Sequence, residues 1–113
     1  MISQMRAERE VVNTRVRQAV EDLKRYQPRQ VILFGSAARG DADEHSDLDF
    51  VVIKQTDQPF LHRLKEAALL VRVPGSIDIL VYTPDEWRLM QAQENPFAEH
   101  VLAEGRVVYE ARP

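Results

Sequence analysis

Residues 33–50 constrain the fold of this chain more than any other stretch. An apolar run ends at Phe34 and is followed by Gly35-Ser36; ten residues later, Asp47-Leu48-Asp49 opens a second apolar run. Runs of this length and composition are typical of short buried β-strands. The sequence therefore predicts two strands, with a glycine turn at the end of the first and two acidic residues at the start of the second.

The two acidic residues are spaced for a shared face. Side chains alternate along a strand, so Asp47 and Asp49 point the same way, about 6.5–7 Å apart along the backbone. Two carboxylates held this close repel each other unless a cation lies between them. Mg²⁺ prefers such oxygen ligands and takes further ligands from water and substrate phosphates. The pair therefore predicts a magnesium site.

The turn before the acidic residues has the features of a phosphate site. Gly35 permits a tight turn and close approach of a phosphate, and Ser36 adds a hydroxyl. A helix starting just after it would direct free N–H groups at an anion. No Lys-Ser or Lys-Thr follows, which excludes a P-loop. Together with the acidic pair, the turn indicates metal-dependent chemistry on a nucleoside triphosphate; Arg39 either contacts the triphosphate or is an exposed loop cation.

Asp78 is a third candidate, because it is an acidic residue within an apolar strand predicted over residues 76–82. Burying an unpaired carboxylate is unfavourable, so the side chain needs a partner or a role. Either it bonds to nearby backbone at the strand end, or it lies beside Asp47 and Asp49 on the neighbouring strand.

The rest of the chain alternates between helical and strand patterns. Strands are also expected over residues 30–34 and 106–110, with the second strand covering 48–54. Helices are expected over residues 3–27, from Pro59, from Thr83 and from Asn95 to Gly105. The apolar faces expected on the first two of these helices comprise Met5, Val12, Val16, Ala19, Val20 and Leu23, then Phe60, Leu61, Leu64, Ala68 and Val71; Trp87 and Met90 are expected in the core.

This order of elements predicts an α/β (α+β) fold, with one small mixed sheet and helices mainly on one face. The charged positions of the first helix are expected to form a solvated face, and the acidic run Asp41, Asp43, Glu44 a solvated loop. With 113 residues, the chain is expected to form a single domain over residues 1–113. The local patterns leave the order of strands in the sheet open.

Composition excludes several classes of protein. There are no cysteines, so disulfides and thiolate catalysis are excluded. No apolar run approaches the roughly 20 residues of a membrane span, and the N-terminus lacks an apolar signal core, so we expect a cytoplasmic protein. The net charge of −3 argues against RNA or DNA as a binding partner or acceptor.

The motif Gly35-Ser36-Ala-Ala-Arg39-Gly40, followed by Asp47-x-Asp49, resembles the signature of the DNA polymerase β-like nucleotidyltransferase superfamily. It is most similar to the minimal nucleotidyltransferases of HEPN toxin–antitoxin pairs, over residues 31–82 and in the tail to Tyr109. The resemblance implies a nucleotidyltransferase fold and ATP as substrate. It also implies a site in which Asp47, Asp49 and Asp78 hold two Mg²⁺ ions and act in catalysis, while Gly35, Ser36 and Arg39 contact the nucleotide.

The resemblance also implies a partner. Larger members of the superfamily have a second domain for the acceptor, and this sequence shows none, so the acceptor is expected on another protein. In the minimal relatives that protein is a HEPN ribonuclease toxin, which receives AMP on a tyrosine (AMPylation).

Two alternatives remain open. One is a non-catalytic antitoxin that only binds its partner. The other is a transferase acting on a small molecule or an RNA end, with its binding site shared across a homodimer, one form of the homo-oligomer that is possible for this chain.

Overall fold

The computed structural model describes residues 2–112, and its helices and strands follow the predicted order. The helices are α1 (Ile2–Lys24), α2 (Ser36–Arg39), α3 (Phe60–Leu70), α4 (Pro84–Ala92) and α5 (Pro96–Glu104). The strands are β1 (Gln30–Phe34), β2 (Leu48–Ile53), β3 (Ile77–Tyr82) and β4 (Arg106–Glu110). The bounds differ from the sequence prediction mainly at α1, which ends before residue 27.

The strands form one mixed sheet in the order β3-β2-β1-β4. β1 is antiparallel to both β2 and β4, whereas β2 and β3 are parallel. The predicted mixed sheet is confirmed, and the structure supplies the strand order that the local patterns left open. Because β2 and β3 run the same way and β1 runs against them, the C-terminal end of β1 and the N-terminal ends of β2 and β3 lie side by side at the same end of the sheet.

The core is divided between the two faces of the sheet. The larger cluster packs α1 and α3 against one face and includes Leu23, Leu33 and Phe50. A smaller cluster packs Trp87 of α4 and Val101 of α5 against the opposite face. Helices therefore cover mainly one face, as predicted, but α4 and α5 also cover part of the other. Each fully buried apolar side chain of this kind contributes roughly 1.5–3 kcal/mol.

α1 buries most of its predicted apolar stripe, with two corrections. Met5 is 56% exposed, because this end of α1 does not pack on the core. Arg15, expected on the solvated face, is only 8% exposed. α1 has 23 residues, but neither it nor any other helix within residues 2–112 is apolar enough over a sufficient length to cross a membrane.

The face that α3 presents to the sheet differs from the prediction. Leu61 is 73% exposed, whereas Arg63 and Ala67 are buried. Phe60 and Ala68, also expected on the buried face, are exposed as well, while Leu64 and Val71 pack against the core. Arg63 tolerates burial because its guanidinium binds the carboxylate of Glu86, with an Nη1–Oε1 distance of 2.7 Å.

The start of α4 is the capping box that the sequence predicts. The hydroxyl of Thr83 accepts a hydrogen bond from the N–H of Glu86, and the Glu86 carboxylate accepts one from the N–H of Thr83. These bonds satisfy backbone donors that a helix start otherwise leaves unpaired. Since Arg63 also binds Glu86, α3 and the start of α4 are joined through one carboxylate.

Candidate active site

The turn after β1 brings the backbone against an acidic side chain. Gly35 has φ 72°, and a Cβ added to it would lie 2.4 Å from Oδ2 of Asp49. Its carbonyl accepts hydrogen bonds from the N–H groups of Ala38 and Arg39, each at 3.1 Å, which begin the single turn of α2. A side chain at position 35 is therefore opposed both by backbone conformation and by contact with Asp49.

The register of the strands places the acidic residues at this same end of the sheet. Asp49 pairs with Asp78 across the parallel strands β2 and β3, and with Phe34 on its other side. Neighbouring strands lie about 4.8 Å apart, so the two carboxylates start from adjacent positions on the same face. Asp47 immediately precedes β2. The structure thus places Asp78 beside the Asp47-Asp49 pair, which is the second of its two interpretations.

Repulsion within this group changes the acidity of Asp49. Partial burial raises the pKa of Asp49, and the negative charges of Asp78 and Asp47 raise this pKa further. Arg39 acts in the opposite direction, because a nearby positive charge favours the ionised carboxylate. The arrangement therefore favours either a proton or a cation between the carboxylates.

The donor set suits a divalent cation that is shared with a substrate. Within residues 2–112, no group of three or more histidine, cysteine or acidic side chains is arranged so that it could hold a metal ion. Mg²⁺ does not require one, because it is typically bound through one or two carboxylates together with water and substrate phosphates. Asp49 and Asp78, side by side with Asp47 next to them, fit that requirement.

The remaining residues of the predicted nucleotide site lie on α2. Ser36 opens the helix and is half-buried, and its carbonyl accepts a hydrogen bond from the N–H of Asp41 at 3.0 Å. Arg39 is exposed, and its guanidinium binds Asp41 at 3.0 Å and Glu104 at 3.1 Å. Arg39 is thus an exposed cation, yet near enough to affect the pKa of Asp49.

The loop between α2 and β2 is organised by its own side chains. The carboxylate of Asp43 accepts hydrogen bonds from the N–H of His45 at 2.8 Å and from the hydroxyl of Ser46 at 3.2 Å. These bonds lower the pKa of Asp43. Asp41, Asp43 and Glu44 are all exposed, which confirms the predicted solvated loop.

Arg15 lies near this end of the sheet, and the sequence analysis did not identify it as a site residue. Its Nε donates to the carbonyl of Pro74 at 3.0 Å, and its Nη1 donates to the carbonyl of Ser46 at 2.9 Å. These carbonyls belong to the loops that lead into β3 and β2. A signal was present in the sequence, because position 15 lies three residues after Val12 and four before Ala19, within the apolar stripe of α1.

This chain is similar in sequence to known proteins. The sequence profile described as polymerase beta, nucleotidyltransferase, matches residues 17–113. A proposed protein adenylyltransferase of Methanocaldococcus jannaschii is 35% identical over 82 residues, covering 72% of this chain and 78% of that protein.

Two solved structures share the fold. A proposed nucleotidyltransferase of Sulfolobus solfataricus has a TM-score of 0.56 and 17% identity, covering 96% of this chain and 86% of that one. A toxin–antitoxin structure determined with AMP-PNP has a TM-score of 0.57 and 15% identity, covering 85% and 73% respectively. At these identities the likeness is evidence for the fold alone.

Proposed function

The chain belongs to the polymerase β nucleotidyltransferase family, and from this premise we propose that it transfers AMP from ATP to a hydroxyl group of a partner protein. The observation that carries the proposal is the pairing of Asp49 with Asp78 beside the Gly35 turn. This pairing puts carboxylate ligands directly against a turn whose glycine carries no side chain. We further propose that residues 1–113 work as a single domain.

The proposed roles follow from the position of each side chain. Asp47, Asp49 and Asp78 would hold Mg²⁺, which when bound neutralises charge on the attacking and leaving oxygens. The β- and γ-phosphates would lie against the Gly35 turn, where the lack of a side chain permits close approach to the backbone, and the hydroxyl of Ser36 would donate a hydrogen bond to them. Arg39 would contribute a positive charge near the triphosphate.

Asp78 is better placed than Asp49 to serve the acceptor. It is exposed on β3, which forms the edge of the sheet, whereas Asp49 is partly buried on the inner strand β2. Asp78 would accept the proton of the acceptor hydroxyl, provided that the hydroxyl comes within hydrogen-bond reach. The hydroxyl oxygen then bonds to the α-phosphorus of ATP as the bond to pyrophosphate breaks, and pyrophosphate leaves.

We propose a HEPN ribonuclease toxin as the partner and one of its tyrosines as the acceptor. The relative named as a protein adenylyltransferase supports a protein acceptor. The fold shared with a toxin–antitoxin structure determined with AMP-PNP is compatible with a toxin as the partner. The exposure of Asp78 at the sheet edge is compatible with an incoming segment of another chain.

Intact-mass measurement of the partner tests this function. With ATP and Mg²⁺, the wild-type protein should add about 329 Da per modified hydroxyl and silence the ribonuclease. Asp49→Asn should add none, while Asp57→Asn, which removes an exposed carboxylate at the other end of β2, should behave as wild type.

Two outcomes would favour the alternatives. If Asp47→Asn protein silences the partner as well as wild type does, neutralisation is by binding alone. If the mass of the partner never changes but a metabolite or an RNA end is labelled, the protein is a transferase for small substrates.

A further inference from the structure

Arg15 joins the two loops that carry the acidic residues into the sheet. It lies in the middle of α1, and its guanidinium bonds to the carbonyls of Ser46 and Pro74 at 2.9 and 3.0 Å. Ser46 directly precedes Asp47, and Pro74 lies shortly before Asp78. Arg15 lies on the face of the sheet opposite to the carboxylates of Asp49 and Asp78. It thus contacts the backbone that leads to each of these two residues.

Gly75 provides the space that this contact needs. It has φ +93°, and a Cβ added to it would lie 2.4 Å from Nη2 of Arg15 and 3.0 Å from Cζ. The guanidinium therefore lies directly against the backbone of the loop before β3. Because the guanidinium is planar with donors in fixed directions, it holds the two carbonyls at a defined separation.

The stability of the fold does not by itself explain why residue 15 is an arginine. Nη2 of Arg15 is buried and has no hydrogen-bond partner within residues 2–112. A buried donor left unpaired is destabilising, and an aliphatic side chain in the apolar stripe of α1 would avoid that cost. A function of Arg15 at the two loops would explain why an arginine is present despite this destabilisation.

We propose that Arg15 is a positioning residue for nucleotidyl transfer. Through the carbonyls of Ser46 and Pro74, it fixes the spacing of the starts of β2 and β3, and hence of Asp49 relative to Asp78. The first hydrogen bond between those strands, from the N–H of Leu48 to the carbonyl of Ser76 at 3.0 Å, lies between the two loops. The catalytic part of this inference rests on the proposed function.

Transfer kinetics of matched variants provide the first test. Arg15→Ala should lower kcat by about 10–100-fold, because small displacements of reacting groups are costly, and should leave KM for ATP within about threefold. Arg63→Ala is the control, because Arg63 is 7% exposed and bonds to Glu86 near the other end of β3. It should lose stability while kcat stays within about twofold of wild type at a temperature where both variants are folded.

Arg15→Lys gives a graded result and also serves if Arg15→Ala does not fold. A lysine keeps the positive charge but lacks the planar fork that reaches both carbonyls, so kcat should lie between those of Arg15→Ala and wild type. Equal losses of kcat in the Arg15 and Arg63 variants would overturn the proposal.

Amide hydrogen exchange of the metal-free protein gives a readout that does not depend on activity. In the Arg15 variants, the amide of Leu48 should exchange at least about tenfold faster. The amide of Lys54, which donates to the carbonyl of Tyr82 at 2.9 Å at the far end of the same strand pair, should not change. Equal acceleration of both amides, or of neither, would contradict the positioning role.

The two tests separate failure of this inference from failure of the proposed function. If the wild-type protein transfers no AMP to any acceptor, the proposed function fails, and positioning for transfer fails with it. Faster exchange at Leu48 alone would in that case still support Arg15 as the residue that fixes the spacing of β2 and β3.

Discussion

Asp49 occupies a position where a carboxylate is unfavourable without a compensating charge. Its pKa is raised by partial burial and by the charges of Asp78 and Asp47. Asp49→Asn removes the negative charge and keeps the shape of the side chain. In the absence of metal at neutral pH, we expect this variant to melt a few degrees above wild type in a thermal scan.

Acidification and ligand each provide a check on that prediction. Because the folded-state pKa of Asp49 is raised, ionised Asp49 destabilises the wild-type protein, and this destabilisation is relieved as the pH falls through that pKa. The difference in melting temperature between wild type and Asp49→Asn should therefore disappear below about pH 3.9. Mg²⁺ and ATP should raise the melting temperature of wild type and of Asp57→Asn, but not of Asp49→Asn. A lower melting temperature of metal-free Asp49→Asn would contradict the repulsion described above.

Gly35 and Gly40 allow backbone strain to be separated from contact with the site. Both have positive φ, 72° and 86°, but an added Cβ meets Asp49 at position 35 and nothing within 4 Å at position 40. The atom met at position 35 is the end of a side chain, which can move aside. Gly40 is in the left-handed region with ψ 11°, so Gly40→Ala should lose about 1–2 kcal/mol of stability. Gly35 has ψ −156°, a conformation that is essentially restricted to glycine, so Gly35→Ala should lose more stability and should also displace the carboxylate.

Thermal shifts with Mg²⁺ and ATP measure the difference. Stabilisation by the ligands should persist in Gly40→Ala and be lost in Gly35→Ala. Equal ligand-dependent stabilisation of the two variants would mean that the position of the Asp49 carboxylate does not matter for nucleotide binding.

At the level of elements, Glu86 connects α3 to α4. It completes the capping box with Thr83, and its carboxylate binds the buried guanidinium of Arg63. The hydrogen bonds from Arg63, and from the N–H of Thr83, lower the pKa of Glu86. Glu86→Gln keeps the size but loses the charge, and since the carboxylate is partly exposed we expect a loss of about 1–2 kcal/mol in urea unfolding at pH 7.

The pH dependence of that loss follows from the lowered pKa. The stabilisation from Glu86 is complete above its ordinary pKa of about 4.3 and is lost as the pH falls through the lowered folded-state value. The difference between wild type and Glu86→Gln should therefore narrow from pH 6 towards pH 3. Glu99→Gln, which removes an exposed charge from the first turn of α5, should change stability by less than about 0.5 kcal/mol at any pH.

The sequence was most informative where local patterns determine structure. The strands on either side of Gly35-Ser36 and the capping box at Thr83 follow from turn chemistry and side-chain alternation, and the structure contains them. Strand order depends on contacts between distant residues, which local periodicity does not encode. The same limit explains why Asp78 kept two interpretations until the register placed it opposite Asp49.

The two buried arginines show a different limit. Counting apolar residues treats a charged position as solvated, so it misplaced Arg15 and shifted the buried face of α3 away from Arg63. Each guanidinium is buried because carbonyls or a carboxylate on another element meet it. Partners of that kind become visible only when the elements have been assembled.

For the molecule as a whole, net charge is an incomplete guide to its ligands. The formal net charge is −3, yet Arg9, Arg39 and Arg106 line a pocket of about 230 Å³ beside α2. We call these residues the arginine cluster. A pocket of this size suits a short anion more than the extended backbone of a nucleic acid, whose binding usually requires a basic face.

We therefore predict that the protein, with labelled ATP and Mg²⁺ but no partner, will not label RNA above the level seen with Asp49→Asn. The negative net charge of the protein disfavours binding of a polyanion. The assay should be run at about 50 mM salt, because electrostatic binding of nucleic acid is strongest when few counterions compete. RNA that is labelled at this salt and progressively less so at higher salt would contradict the prediction. Loss of that labelling in Arg9→Ala and Arg106→Ala, but not in Arg17→Ala on another part of α1, would then identify the arginine cluster as the surface that binds RNA.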